Sequence, residues 1–537
     1  MTSAEATTGA QSKIWEVEAC ETDEARTRPE MPGKPRCKAI NREQMTWAAV
    51  DVEQLVPPEH VVRAIWELVG RLDVSQWQQD SKAVEGVAGC SPYDPRLLIS
   101  LWVLAYSEGI SSAREVERRC QYHPAYQWLT GLQVVGHHTL SDFRVKDKKV
   151  LDELFAQVLA VLRAEEMITL ERVMQDGTKV KAAASPNSFH RQEKLQQHLE
   201  EARTQVKQMS DEEAGEGSER NERQQQGLAR AAREKLERME AALEELKRVQ
   251  AAAVAQGKVT SECRVSETEP EARKMKQPMD GGFAPSYNLQ IVSDSAHGII
   301  VGVEVVQACN DQRQLESGLE KVQQQTGTLP KQAVVDEGYL SRATVLEMER
   351  RGVDLYSAGN LSGAADGSQA EENCRRRGVA AEFYPQRFIY DPDRDLYVCP
   401  AGQELPHRGV KHDREGVNRH QYRARAAACR ACVHQAQCCP AKGKAFKVRL
   451  ITRTENVPSV AAFVEKMKTA EAKAIYRERK RVAEFPNLWL KEKLKLRRFC
   501  VRGLVKAGCE ALWASLTYNI QQWARQRWKP ERSGAAA

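Results

Sequence analysis

Three acidic residues set the first chemistry this chain could perform. Asp176 follows the apolar run Val173-Met174, and Asp336 follows Ala333-Val334-Val335. Carboxylates at the ends of neighbouring core strands can converge on one divalent cation, which prefers hard oxygen ligands. Each Asp alone has an ordinary structural reading, and Asp176-Gly177 is also a common turn dipeptide. A third ligand is therefore needed, and the best candidate is Glu484 in YRERKRVAEFPNLWLKEKLKLRR. Alone, a Glu in a basic helix reads as an intrahelical ion-pair partner. Here its basic surroundings fit phosphodiester chemistry, in which an acid binds metal while Arg and Lys hold phosphates.

A second constellation is built on sulfur. Cys429-x-x-Cys432 forms a knuckle that can give two thiolates to one tetrahedral Zn²⁺, and Cys399 with Cys438 could complete a four-sulfur site. Cys439 competes with Cys438, His434 is a substitute ligand, and ordinary free thiols are the alternative to zinc. The surrounding Arg423, Arg425, Arg430, Lys442, Lys444, Lys447 and Arg449 suit contact with a DNA backbone.

Charge indicates where a partner would lie. The 537 residues include 80 Lys and Arg against 74 Asp and Glu, a net +6 that is unevenly spread. Residues 423–449 hold seven basic and no acidic residues, and 473–506 hold twelve basic and three acidic. Together they carry +16 and leave −10 for the rest, so a mildly acidic body bears two segments suited to a polyanion. A hydrophobic content of 41% with 29% charged residues excludes wholesale disorder. The best apolar run, Leu97 to Tyr106, fits a buried helix and is far shorter than the roughly 18 residues of a membrane span. MTSAEATTGAQSK has no apolar signal core, so a cytoplasmic location is expected. Fourteen cysteines are too sparse for a disulfide scaffold, which turns attention to a local metal cluster.

Several elements must position these groups, within a prior of about three or four domains. Residues 1–40 read as a loose leader. Helical periodicity runs from Val61 to Ala160, with Ser112 and Glu115 as a capping box. Six of the ten Trp precede residue 129 and the other four follow 488, so 45–160 reads as a separate helical unit. RVMQDGTKVKAA reads as a strand. Leu195, Leu199, Ala202, Val206 and Met209, then Leu236, Met239, Leu243 and Leu246, give two heptad-like runs that predict an antiparallel coiled-coil hairpin. SYNLQIVSDSAHGIIVGVEVV reads as a hairpin, followed by helix, strand, helix and strand, which together make a mixed α/β core. Residues 361–448 depart from this pattern, and helix returns from Ser459 to Trp523. Pro486 is expected to kink or break that last helical stretch.

Tyr476, Arg479, Glu484 and Lys491 resemble the Tyr-Arg-Glu-Lys signature of DDE transposases from bacterial insertion sequences. Arg479 and Glu484 are separated by four residues where the usual pattern has three, and Lys480 would restore that spacing. The ordered set of motifs extends the resemblance from about residue 45 to 525. YDPRLLISLWVLAYSEGISSAREVERRC with HHTLSDFR is similar to the family's helical N-terminal domain. VMQDGTKVKAAAS and VVDEGYLS are similar to its two Asp strands, and EPEARKM with GGFAPSYNLQIVSD to its central hairpin. The branch it most resembles is the insertion-sequence family numbered eleven eighty-two.

The resemblance implies an α/β fold with an RNase H-like core. In that core Asp176, Asp336 and Glu484 would bind Mg²⁺ or Mn²⁺, while Tyr476, Arg479, Lys480 and Lys491 would position DNA. One metal would activate water or a 3′-hydroxyl, and the other would stabilise the leaving oxygen. The implied activity is cleavage at element ends and strand transfer by a homodimer on double-stranded DNA, at the nucleoid and with no membrane partner. A non-catalytic DNA-binding remnant and a nuclease without joining activity are the alternatives. The expected organisation is a leader (1–40), a helical DNA-binding domain (41–165), core segments at 166–190, 259–360 and 450–525, a helical hairpin (191–258), a Cys-rich basic insertion (361–449) with a possible structural Zn²⁺, and a tail (526–537). Arg114, Arg118, Arg119 and Arg144 are the candidate DNA contacts of the helical domain.

Overall fold

Apolar residues at three- and four-residue steps fold the first part of the chain into α1 (Val61–Gly70), α2 (Pro95–Ser107), α3 (Ala113–Tyr122), α4 (Pro124–Thr130), α5 (His137–Val145) and α6 (Lys148–Ala164). Polar caps set their starts. Asp94 accepts from Arg96 N ahead of Pro95, Ser112 accepts from Glu115 N, and Asp147 accepts from Lys149 N. α2 is buried from Leu98 to Tyr106, as its apolar run predicts. The computed structural model describes residues 43, 45, 49–77, 92–213, 222–255, 257–277, 281–359, 361, 367–412, 418–440, 447–454 and 458–529. The expected leader at 1–40, most of the tail, and Lys442 and Lys444 lie outside them.

The central sheet comes next. β1 (Arg172–Lys181) is followed by the short β2 (Phe189–His190). The helical hairpin of α7 (Gln192–Glu213) and α8 (Glu222–Ala255) then intervenes, and β3 (Val265–Ser266) pairs back on β2. In the hairpin, Leu195 meets Ala242 and Leu246, whereas Leu199 and Ala202 meet Met239. Positions advancing along α7 meet positions receding along α8, so the helices run antiparallel. β4 (Arg273–Lys276), β5 (Phe283–Asp294), β6 (Ile300–Val306), β7 (Gln332–Val335) and β8 (Asp354–Ser357) complete the sheet, with α9 (Gln314–Thr326) and α10 (Arg342–Arg351) as connections. The order is β4-β5-β1-β7-β8, with β6 also on β5. β5 is antiparallel to β1, β4 and β6, whereas β1, β7 and β8 are parallel.

α11 (Gly367–Arg376) leads into a second sheet, β13-β12-β11-β10-β9. Its strands are β9 (Ile389–Asp391), β10 (Leu396–Val398), β11 (Glu404–His412), β12 (Asn418–Arg423) and β13 (Leu450–Thr454), and the short α12 (Ala426–Arg430) and α13 (Gln435–Cys438) lie between the last two. It closes over a small core of its own, formed by Phe388, Leu405, Tyr422, Ala424 and Ile451.

The chain ends in α14 (Pro458–Lys468), α15 (Ala470–Glu492) and α16 (Leu504–Gln526). α16 is buried almost continuously from Ala507 to Ile520, because it lies between the N-terminal helices and the sheet. Trp513 Nε1 donates to Arg144 O at 3.0 Å, and Asn519 bonds both N and O of Ile300. One continuous apolar core therefore joins residues of α1 to α6, the sheet and α16. The expected separate helical unit is corrected by this packing, since a helix apolar on every side must be covered on every side. From Asp51 onward the chain is one compact unit.

α15 is not broken at Pro486 and continues through it. Val482, Ala483, Pro486, Asn487 and Leu490 are buried, and the helix rests on β1, β5, β7 and β8. That packing offsets the roughly 3 kcal/mol a mid-helix proline costs.

Candidate functional site

The register of β1 on β7 brings the first two acids together. The parallel pairing ends at Gln175 opposite Val335, and the next residue on each strand is Asp176 and Asp336. Alternation places Asp176 on the same face as Met174, and Asp336 follows Val334 in the same way. Met174 and Val334 pack with Ile475, Val482 and Ala483 of α15, so that face is the one the helix covers. The turn alternative for Asp176-Gly177 does not apply: both residues lie within β1, the expected strand, opposite Ile291 and Gln290 of β5. Gly177 is required by its neighbours, since a Cβ there would fall 2.3 Å from Asp311 Oδ1 and 2.4 Å from Gln290 Nε2.

α15 supplies the remainder at helical spacing. Ile475, Arg479, Val482, Pro486 and Leu490 step by four, three, four and four along the face turned to the sheet, so Arg479 enters the same stripe as the apolar residues. Its guanidinium lies 3.7 Å from Asp176 Oδ1, 3.6 Å from Asp336 Oδ1 and 3.9 Å from Glu484 Oε1. The three predicted acids thus surround one cation. Arg479 Nη1 is buried without a hydrogen-bond partner, so the guanidinium balances charge there without being fully bonded. Tyr476 Oη donates to Asp336 Oδ1 at 3.4 Å, and Asn487 Nδ2 donates to Asp176 Oδ2 at 3.0 Å.

Burial pushes the Asp176 carboxyl up to about 6, against the opposing pull of Arg479 and of the Asn487 hydrogen bond. Burial likewise holds the Lys491 ammonium below its usual range. An open pocket of about 480 Å³ runs along this edge, lined by Asp176, Lys480, Glu484, Asn487 and Lys491 among others. Lys480 and Glu484 are exposed there. The chain after α15 is tied to β1, since Lys181 N donates to Arg497 O and Phe499 N donates to Lys181 O.

Sequence reasoning missed three polar groups. Asn487 fixes Asp176 and could have been found by its helical spacing from Arg479 and Ala483. Asp311 accepts from Asn288 at 2.8 Å and from Gln290 at 2.7 Å. Gln290 also accepts from Tyr339 Oη at 2.6 Å, and no spacing in the sequence marks this network.

The sulfur residues share a small cavity of about 30 Å³, lined by Cys399, Cys429, Cys432, Cys438, Cys439 and Arg449. Gln403 N donates to Cys399 Sγ at 3.2 Å, and Cys438 and Cys439 Sγ are 3.9 Å apart. Among the described residues, no three of these cysteines bring their sulfurs within 4.8 Å of one another. His434 packs its ring on Phe383.

The candidate DNA contacts of the helical region are mostly engaged internally. Arg144 is buried over Trp102 and donates to Ser111 O, which leaves no surface for a phosphate. Arg119 pairs with Glu108 and Glu115, and Arg118 pairs with Glu115. Arg114 is exposed. No helix among the described residues is long and apolar enough to cross a membrane.

Two family descriptions match the chain. Residues 50–146 match "Transposase domain (DUF772)", and residues 398–524 match "Transposase DDE domain". The second span contains the cysteines and Glu484, while Asp176 and Asp336 lie outside it. No curated protein matches the sequence.

Proposed function

We propose that this chain, a DDE transposase of an insertion-sequence type, binds the ends of its element and joins them to target DNA by divalent-metal chemistry at Asp176, Asp336 and Glu484. The observation that carries this reading is the convergence of all three carboxylates on Arg479. Hard oxygen donors around a half-buried, incompletely bonded cation fit Mg²⁺ or Mn²⁺. The mixed sheet, with acids on adjacent parallel strands, supports the RNase H-like assignment.

Bound metal would supply Lewis acidity and a lowered pKa for the attacking hydroxyl. The chain's own residues do the rest. Asp176, oriented by Asn487, and Asp336, oriented by Tyr476, present their oxygens from a rigid sheet edge. Glu484 closes the set from the helix. Arg479 lies among the three carboxylates and offsets part of their charge, and in the open pocket beside them Lys480 and Lys491 would receive backbone phosphates. Cys399, Cys429, Cys432 and Cys438, which line one small cavity, would hold a structural Zn²⁺. A homodimer would hold two element ends together.

The test is strand transfer of a pre-cleaved element end in Mg²⁺, using the DNA that flanks the coding sequence as the source of ends. Joining supports the proposal. Cleavage without joining makes the protein a nuclease, and binding alone makes it a catalytically inactive remnant.

A further inference from the structure

One cluster lies outside everything described so far, at the neck of the helical hairpin. β2 and β3 pair there, with Phe189 opposite Ser266 and His190 opposite Val265. The pairing is extended by Glu267 N donating to Ser188 O at 2.9 Å and locked by a buried Ser188–Ser266 hydroxyl contact of 2.7 Å. His190 therefore stands on the outgoing strand and Glu267 at the end of the returning one. His198 reaches the same point from the second turn of α7.

Three donors meet at this neck. His198 Nδ1 lies 2.7 Å and His190 Nε2 3.6 Å from the same oxygen, Glu267 Oε2. The imidazoles are 5.3 Å apart and nearly perpendicular, so their nitrogens converge without the rings stacking. One donor atom from each residue lies within 4.8 Å of the other two, and all three side chains are mostly buried. Two imidazoles and one carboxylate make a borderline donor set, which favours zinc-class ions over the magnesium suited to an all-carboxylate site. The backbone pairing and the helix fix all three residues without an ion, and His190 also borders an open pocket of about 300 Å³ lined by Phe189, Arg191, Glu193, Lys194 and Arg264.

We propose that His190, His198 and Glu267 bind a single zinc-class divalent cation that ties the start of the helical hairpin to its end. The role is structural: the ion joins residues far apart in sequence and orients the arm at its base. It is independent of the transposition reading, since it uses none of the carboxylates or cysteines assigned above.

The probe is Co²⁺, titrated into the full chain carrying Asp176→Asn, Cys429→Ser and Cys432→Ser, which silence the other two candidate centres. One equivalent should bind, with visible d–d absorption and no sulfur-to-metal charge-transfer band. His190→Gln and His198→Gln, the latter keeping a donor toward Glu267, should each weaken binding at least about tenfold, the lower end of losses seen even for outer-shell changes. Equal binding by both variants, or no binding to the silenced chain, overturns the site. If either variant loses its helical circular-dichroism signal, thermal melting of the silenced chain decides. A rise in melting temperature with Zn²⁺ and not Mg²⁺ supports the site, and no rise overturns it.

Discussion

The two sheets treat their candidate metal ligands in different ways. On the central sheet, strand register and helix period bring Asp176, Asp336 and Glu484 around the Arg479 guanidinium at 3.6–3.9 Å, whose single charge offsets part of theirs. On the β9–β13 sheet, the sulfurs share a cavity without converging, over a core of only a few apolar side chains. Among the described residues neither set brings three donor atoms within 4.8 Å of one another, and the acids differ from the sulfurs in having a cation, Arg479, already among them. In the proposed reading, a metal at the first site would add chemistry and a metal at the second would add structure.

The largest expected effect tests the first half of that contrast. Asp176→Asn, Asp336→Asn and Glu484→Gln should each lower strand transfer by about a thousandfold or more, because several kcal/mol of charge stabilisation is lost at about 1.36 kcal/mol per tenfold. Their melting temperatures should stay near that of the parent. A variant that keeps full activity removes its residue from the metal set.

The sulfur site should respond in the opposite sense. Zinc chelation, or Cys429→Ser with Cys432→Ser, should expose residues 389–454 to limited proteolysis while the rest of the chain stays resistant. Unchanged cleavage patterns would mark the cysteines as ordinary free thiols.

Gly177→Ala probes how tightly the first site is built. Its added methyl group must displace Asp311 or Gln290, at a cost of about 1–3 kcal/mol in thermal or denaturant unfolding. A methyl group added at Gly70 in α1 would meet nothing within 4 Å, so Gly70→Ala should be neutral or slightly stabilising. Equal effects at the two glycines would mean the Asp311 network does not constrain β1.

The smallest effect is in pH. Metal binding requires ionised Asp176, and burial has raised its carboxyl to about 6. Mn²⁺ affinity, read by calorimetry, should therefore rise with pH and level off above about 6, and the rise should flatten in Asp176→Asn. A flat profile in the parent would separate Asp176 from the metal.

The acids were legible because each stands beside an apolar run or inside a charged one, and local sequence displays both signals. Arg479 was legible as part of a motif, but its place among the carboxylates was not, since that depends on which face of α15 meets the sheet. Asp311 gave no signal, because it stands in the loop before α9 while its partners Asn288 and Gln290 are on β5. The β9–β13 sheet was missed for a related reason. β11, ELPHRGVKH, and β12, NRHQYR, put charged and polar residues on both faces, so the alternation that reveals a half-buried strand is absent. Pro486 misled in the opposite direction, because a local rule was overridden by packing that only the folded sheet supplies.

The pairing of His190 with Val265 has a consequence for how the gene can change. The helical arm leaves and rejoins the body at directly opposed residues, so its two ends coincide in space. Removing it and joining β2 to β3 through an Asn-Gly turn would leave an ordinary hairpin and an intact central sheet. The arm is thus a graft at a single point, which an in-frame insertion or deletion could add, lengthen or discard without redrawing the topology around the three carboxylates.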